Sequence, residues 1–164
     1  MKNSVLFLSV LTTALMAGLF YSWSISVMRG LKDLPDREFV LSMQAMNRAI
    51  QNPLFFVCFF GATLFLLISC YQQFSAPLNL EYCLLTASTL IYLVGVLGLT
   101  IFGNVPLNNM LNSFSVDGST GDAISKMRLG FESKWNYLNN IRTISAILST
   151  CLLILMLFLK KFGS

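Results

Sequence analysis

The stretch "YCLLTASTLIYLVGVLGLTIFG", Tyr82 to Gly103, contains no Asp, Glu, Lys or Arg. A hydrophobic run longer than about 18 residues marks a bilayer-crossing helix, because the hydrocarbon core takes about 20 residues of helix to span. Inside lipid the backbone can hydrogen-bond only to itself, so the run must be helical. Three other stretches read the same way: "SVLFLSVLTTALMAGLFYSWSISVM" (Ser4–Met28), "PLFFVCFFGATLFLLISCYQ" (Pro53–Gln72) and "IRTISAILSTCLLILMLFLKK" (Ile141–Lys161). Their interiors are free of charge, and Arg142 stands at the entrance to the last. Composition agrees: 55% of the 164 residues are hydrophobic and 11% are charged, where soluble domains carry about 25% charged residues. The expected fold is all-α, an integral membrane four-helix bundle forming a single domain over residues 1–164.

The first stretch is too long for a signal-peptide core and is followed by no small-residue cleavage site, so it is read as a retained span. Cys58, Cys70, Cys83 and Cys151 all fall within spans, without C-x-x-C spacing. They read as small packing residues, not as disulfide partners or zinc ligands.

The connections are unequal. "QFSAPLNLE" (Gln73–Glu81) is short and makes a tight hairpin of the second and third spans. Arg29–Asn52 and Asn104–Asn140 are long, and an even number of crossings puts both on the same face. In the first, Asp33 is expected to cap a helix with Pro35 in its first turn. Phe39, Met43, Met46 and Ile50 form an apolar stripe at helical spacing; Gln44, Asn47, Arg48 and Gln51 form a polar one. In the second, a turn at Val116–Asp122 precedes a stripe of Ile124, Met127, Phe131, Trp135 and Leu138, which leads straight into the fourth span. Two interfacial amphipathic helices, about Asp36–Gln51 and Asp122–Leu138, are therefore expected to cover one face of the bundle.

The third span ends on "FGNVPLNNML" (Phe102–Leu111), amides instead of the usual charges. Asn104 and Asn108 share a helical face, as do Trp135, Asn139 and Arg142. With Gln44 and Asn47 from the first connection, and Trp23 at the end of the first span, polar and aromatic groups gather at one end of the bundle. Singly, such residues serve as interhelical glue worth about 0.6 kcal/mol. Together, an arginine at membrane depth among amides and indoles reads as a ligand site. Arg142, Asn104 and Asn139 are the candidate catalytic groups. Gln44, Asn47, Asn108, Trp135 and Trp23 are the candidate ligand-binding groups, and the amides are expected to face one another.

"GLFYSWSISVMRGL", "MQAMNRAIQNPLF", "FGNVPLNNML" and "WNYLNNIRT" resemble the anthrone oxygenase-like family, small four-span membrane proteins that include fungal enzymes oxidising anthrones to anthraquinones. The most specific pieces are Asn104–Asn108 and the run Trp135, Asn139, Arg142, Thr143; Asn47, Asn52 and Pro53 match as well. The resemblance implies the four-span fold and an oxidoreductase acting on a planar phenolic compound, in a multi-pass protein of a bacterial inner (plasma) membrane.

The residues limit the chemistry. The chain has no histidine and no acidic residue within a span, so haem, di-iron and copper centres lack their usual ligands. No phosphate loop, catalytic triad or carboxylate pair is present. An enzyme here would work without metal or cofactor, stabilising an oxyanion with Arg142 and amide donors and stacking a flat ring on Trp23 or Trp135. The missing strong base counts against efficient proton abstraction. The alternative is a non-enzymatic scaffold binding a lipid, an apolar small molecule or a partner. A net charge of +4 gives no reason to invoke nucleic acid.

Lys and Arg number seven on the long-connection face (Arg29, Lys32, Arg37, Arg48, Lys126, Arg128, Lys134), eight with Arg142. Three lie opposite: Lys2, Lys160 and Lys161. The positive-inside rule then puts the long connections in the cytoplasm and both termini outside.

Overall fold

The computed structural model describes residues 2–74 and 77–162. Ser75 and Ala76 of the short connection, Ser164, and the side chains of Lys2 and Lys161 invoked for orientation lie outside the described residues. All regular structure within them is helical. The order is α1 (Lys2–Ser22), a π-helical turn (Trp23–Val27), α2 (Met28–Lys32), α3 (Asp36–Ala49), α4 (Pro53–Gln73) and α5 (Leu80–Tyr92). Two further π-helical turns (Leu93–Gly98 and Thr100–Asn104), α6 (Val105–Asn112) and α7 (Gly121–Phe162) complete it.

Four continuous helical stretches are long and apolar enough to cross a membrane: Asn3–Lys32, Pro53–Gln73, Leu80–Asn112 and Gly121–Lys160. Three of them extend past the apolar runs. The first and third continue beyond Met28 and Gly103, and α7 joins the expected amphipathic helix to the fourth span without a break. The 21 residues of α4 rise about 31 Å, the thickness of the hydrocarbon core. Asn52 starts this helix, its side chain accepting from the Phe55 amide at 3.0 Å with Pro53 just inside. Asn79 starts α5 through the Tyr82 amide at 2.9 Å. Both satisfy amides that a helix start leaves without partners.

The first span packs on the second and fourth, and the third on the second and fourth, giving a closed antiparallel bundle. Its core includes Met16, Phe20, Phe59, Leu66, Tyr92 and Leu153. Short hydroxyls clamp the spans: Ser9 to Ser69 at 3.0 Å, and Ser88 to Ser149 at 2.8 Å. Small residues of this kind let membrane helices approach and bond across their interface. Leu15, Val57, Val94 and Leu148 face outward, as an apolar solvent requires.

A second core forms the cap, where Phe39, Val40 and Met43 of α3 meet Met28, Leu111, Ile124, Phe131 and Trp135. Phe39 and Met43 of the apolar stripe are fully buried, whereas Met46 and Ile50 are half-buried. Val40, Gln44 and Asn47 complete the buried face instead. Arg128 fastens the cap: it bonds the carbonyls of Lys32 (2.7 Å) and Leu34 (2.6 Å), pairs with Asp36 and Glu132, and lies over the Phe39 ring. Those carbonyls are left open at the end of α2, where a cation is also favoured. Asp33 does not cap α3. Pro35 is its N-cap residue, without a side-chain bond, and Asp33 closes α2.

Candidate functional site

A cavity of about 300 Å³ lies between the bundle and the cap, at the lower end of the size range of small-molecule sites. First, second, third and fourth spans and α3 all contribute to its wall. Among the expected site residues, Trp23, Asn47, Asn104, Asn108, Trp135 and Arg142 line it together.

Arg142 is 6% exposed and its guanidinium points inward. Nη1 donates to Thr100 Oγ1 at 3.2 Å and Nη2 to Asn139 Oδ1 at 2.8 Å. The planar cation lies 4.5 Å from the Phe20 ring centroid and 5.7 Å from that of Trp135. Each acceptor is oriented by its own donor. The Thr100 hydroxyl is committed to the Val96 carbonyl (2.7 Å), so its oxygen faces the arginine. The Asn139 amide nitrogen is committed to Ser24 Oγ (2.9 Å) and to the Phe20 carbonyl (3.3 Å), so its oxygen does the same. None of the ion pairs among the described residues includes Arg142. A buried cation held only by neutral oxygens and rings keeps a strong positive field, and cation–π contact offsets only part of its desolvation.

Three polar atoms on this wall are buried without a protein partner: Arg142 Nε, Asn47 Nδ2 and Asn104 Oδ1. Each such vacancy costs about 1–3 kcal/mol unless something fills it. Two unpartnered donors, one of them cationic, and one unpartnered acceptor thus belong to residues of one cavity wall.

Asn104 and Asn108 turn inward but do not bond one another. Both turn to Trp135: Asn108 Oδ1 accepts from the indole Nε1 at 2.8 Å, and Asn104 Nδ2 reaches the Trp135 carbonyl at 3.5 Å. An indole N–H has no other role than donor, so Asn108 fixes the ring plane. Trp23 lies against the same ring, with centroids 5.2 Å apart. Phenylalanines line the cavity too, Phe55 stacked on Phe59 at 5.4 Å. The wall is therefore rich in aromatic rings, with the two indoles tilted by 49° to one another.

Two expected site residues lie off the wall. Gln44 donates to the carbonyls of Leu111 and Phe114, both at 2.8 Å. It closes the end of α6 and so holds the cap. Asn139 sits behind Arg142 and positions it. Thr100, Phe55, Phe56, Phe59 and Phe60 belong to the wall but did not stand out in the sequence. Thr100 had a signal, four residues before Asn104. The phenylalanines had none, being indistinguishable from lipid-facing positions.

π-helical turns flank the cavity on two spans: Trp23–Val27 beside α1, Leu93–Gly98 and Thr100–Asn104 beside α5. Such turns are rare and are frequently found at functional sites. Pro106 contributes to the last one. It has no N–H for the Phe102 carbonyl, and its ring crowds that carbonyl. Among the described residues, no three His, Cys, Asp or Glu side chains come together.

No curated protein and no solved structure matches the chain. The family model described as anthrone oxygenase matches residues 43–152. That stretch runs from α3 into the fourth span and takes in Asn47, Asn104, Asn108, Trp135 and Arg142, leaving only Trp23 of the six wall residues outside. A match over more than half the chain, covering the cap, the cavity and the cation, makes this protein a member of the anthrone oxygenase family.

Proposed function

We propose that the cavity binds a flat, apolar molecule with a carbonyl or phenolate oxygen, and that the protein is a cofactor-independent oxygenase of anthrone-like compounds. The observation carrying this reading is Arg142, a buried cation on the cavity wall without a carboxylate, whose Nε, like the Asn47 Nδ2 of the same wall, has no protein partner. An enolate formed from an anthrone spreads its charge onto the ring oxygen. Arg142 and Asn47 would donate to that oxygen, while Trp23, Trp135 and Phe55 flank the rings. Stabilising the anion lowers the cost of removing a proton from the ring CH2. The carbanion then adds dioxygen, the resulting peroxide anion takes a proton back from water, and the hydroperoxide loses water to leave a second carbonyl. The balance is CH2 plus O2 giving C=O plus H2O. The proton passes to water at the polar rim of the cavity, formed by Gln51 and Asn109.

A second reading has its own support. The wall holds no carboxylate and no imidazole, so no strong base is on hand. On that ground the protein would be a binder of the same ligand chemistry, without turnover. Purified protein in lipid bilayers, given anthrone under air, separates the two. Oxygen uptake with quinone absorbance, lost in Arg142→Ala, supports the oxygenase. Binding without oxygen uptake supports the binder, and neither would refute both.

A further inference from the structure

We propose that this cavity is loaded sideways from the bilayer, through a slot between the second span and the far half of the third, by the neutral, membrane-dissolved form of its ligand. The inference rests on the ligand reading above for the identity of the cargo, and on the shape of the molecule for the route.

The first observation is the composition of the mouth. Four apolar residues of the cavity wall are also exposed on the outside of the bundle: Phe56 (40%), Phe60 (53%), Ile101 (45%) and Val105 (40%). They come in two pairs at helical spacing, one on each side of the slot. A side chain that touches both the cavity and the exterior marks an opening, and these lie on spanning helices. Only the upper edge is polar, where exposed Gln51 and Asn109 meet the cavity.

The second observation is that the axial route is closed. The cap core lies across that end, and Trp135 belongs both to it and to the cavity wall, with its indole tied to Asn108. The second span packs on the first and on α5. Joined to the third by the short connection at the opposite end, it is free to diverge from Thr100–Asn104 here.

The chemistry agrees with the route. Moving an oxyanion through hydrocarbon carries a desolvation cost far above any gain in the slot, whereas the neutral acid partitions into lipid readily. The ligand enters as the acid, with its oxygen end at the level of Gln51, and ionises only on reaching Arg142.

The chain's two tryptophans both line the cavity, so tryptophan emission, excited at the red edge where tyrosine does not absorb, reports on it. The test uses the full protein in phosphatidylcholine vesicles brominated in the upper acyl chain, with acrylamide as the aqueous quencher. Strong quenching by the brominated chains and little by acrylamide is expected. Ile101→Phe with Val105→Phe should fill the slot and remove most of the lipid quenching; Ile101→Ala with Val105→Ala should increase it. Equal quenching in all three proteins, or acrylamide quenching above lipid quenching, would overturn the portal. Anthrone preloaded into unbrominated vesicles then tests the cargo. In the filled variant its association and dissociation rates should fall by a common factor, as expected of an obstructed path, while Arg142→Ala should raise the Kd itself. A raised Kd at an unchanged association rate in the filled variant would also overturn the portal. Lipid quenching without anthrone uptake would leave the portal standing and refute the proposed ligand.

Discussion

Arg142 donates to Asn139 at 2.8 Å, from one turn further along the same helix. Asn139 is in turn anchored to Ser24 and to the Phe20 carbonyl on the first span. The cation is therefore positioned from two helices at once, and its Nε is left without a protein partner.

This relay gives different expectations for the two residues. Arg142→Lys keeps the charge but not the planar fork, so it cannot hold Thr100 and Asn139 while presenting a third donor. Ligand affinity should fall about tenfold or more, near 1.4 kcal/mol, with a small change in melting temperature. Asn139→Ala removes the anchor and takes the acceptor from Arg142 Nη2, so both affinity and stability should fall, the latter by about 1–3 kcal/mol. Titration and thermal unfolding in the same bilayer-mimetic sample would decide. Normal affinity in Asn139→Ala would mean that Arg142 needs no positioning.

Gln44 and Asn47, three residues apart on α3, should separate cleanly. Gln44 bonds two carbonyls at the end of α6, so Gln44→Ala should cost about 1–3 kcal/mol of stability and leave the ligand Kd nearly unchanged. The Asn47 Nδ2 has no protein partner, so Asn47→Ala should scarcely affect melting and should weaken binding. The reverse pattern would remove Asn47 from the site.

These two residues also show what the sequence could reveal. Both fell on one polar stripe, and nothing in the spacing distinguishes a residue bonding loop carbonyls from one facing a cavity. The four spans and the cap were legible because hydrocarbon thickness and helical periodicity act on long stretches. Arg142, Asn104 and Trp135 were legible because polar groups at membrane depth are costly. The partner of Asn104 and Asn108 was not, because spacing that puts both on one helical face does not say that both bond Trp135. The phenylalanine wall was hidden by composition, since a residue lining an apolar cavity and one facing lipid meet the same chemistry.

Gly95 marks a close approach of the third and fourth spans. A Cβ there would lie 2.2 Å from Ser145 Oγ and 2.6 Å from Ser145 Cβ, whereas one at Gly18 would meet nothing within 4 Å. Gly95→Ala should destabilise by about 1–3 kcal/mol through overpacking, and Gly18→Ala should be neutral within about 0.5 kcal/mol. Ser145→Gly in the Gly95→Ala background should restore most of the loss, a coupling readable from a double-mutant cycle. Additive effects would mean that the spans do not touch there.

The last prediction concerns which side of the membrane the cap occupies. Seven Lys and Arg lie on its face outside the spans, and the positive-inside rule responds to such residues near span ends whether or not acidic residues accompany them. The cap should therefore face the cytoplasm and the short connection the exterior. Lys126 suits a reporter: it is exposed, and its contact with Asp122 at 3.3 Å is between two largely exposed side chains, a pairing worth roughly 0–1 kcal/mol. Cys83, exposed in the first turn of α5, is a native thiol near the opposite face. With the other cysteines replaced, Lys126→Cys in a Cys83→Ser background should resist a membrane-impermeant thiol reagent on intact cells and react after permeabilisation. Cys83 should show the opposite preference. Labelling of Lys126→Cys on intact cells would invert the topology and place the cap, with the polar rim of the cavity, outside.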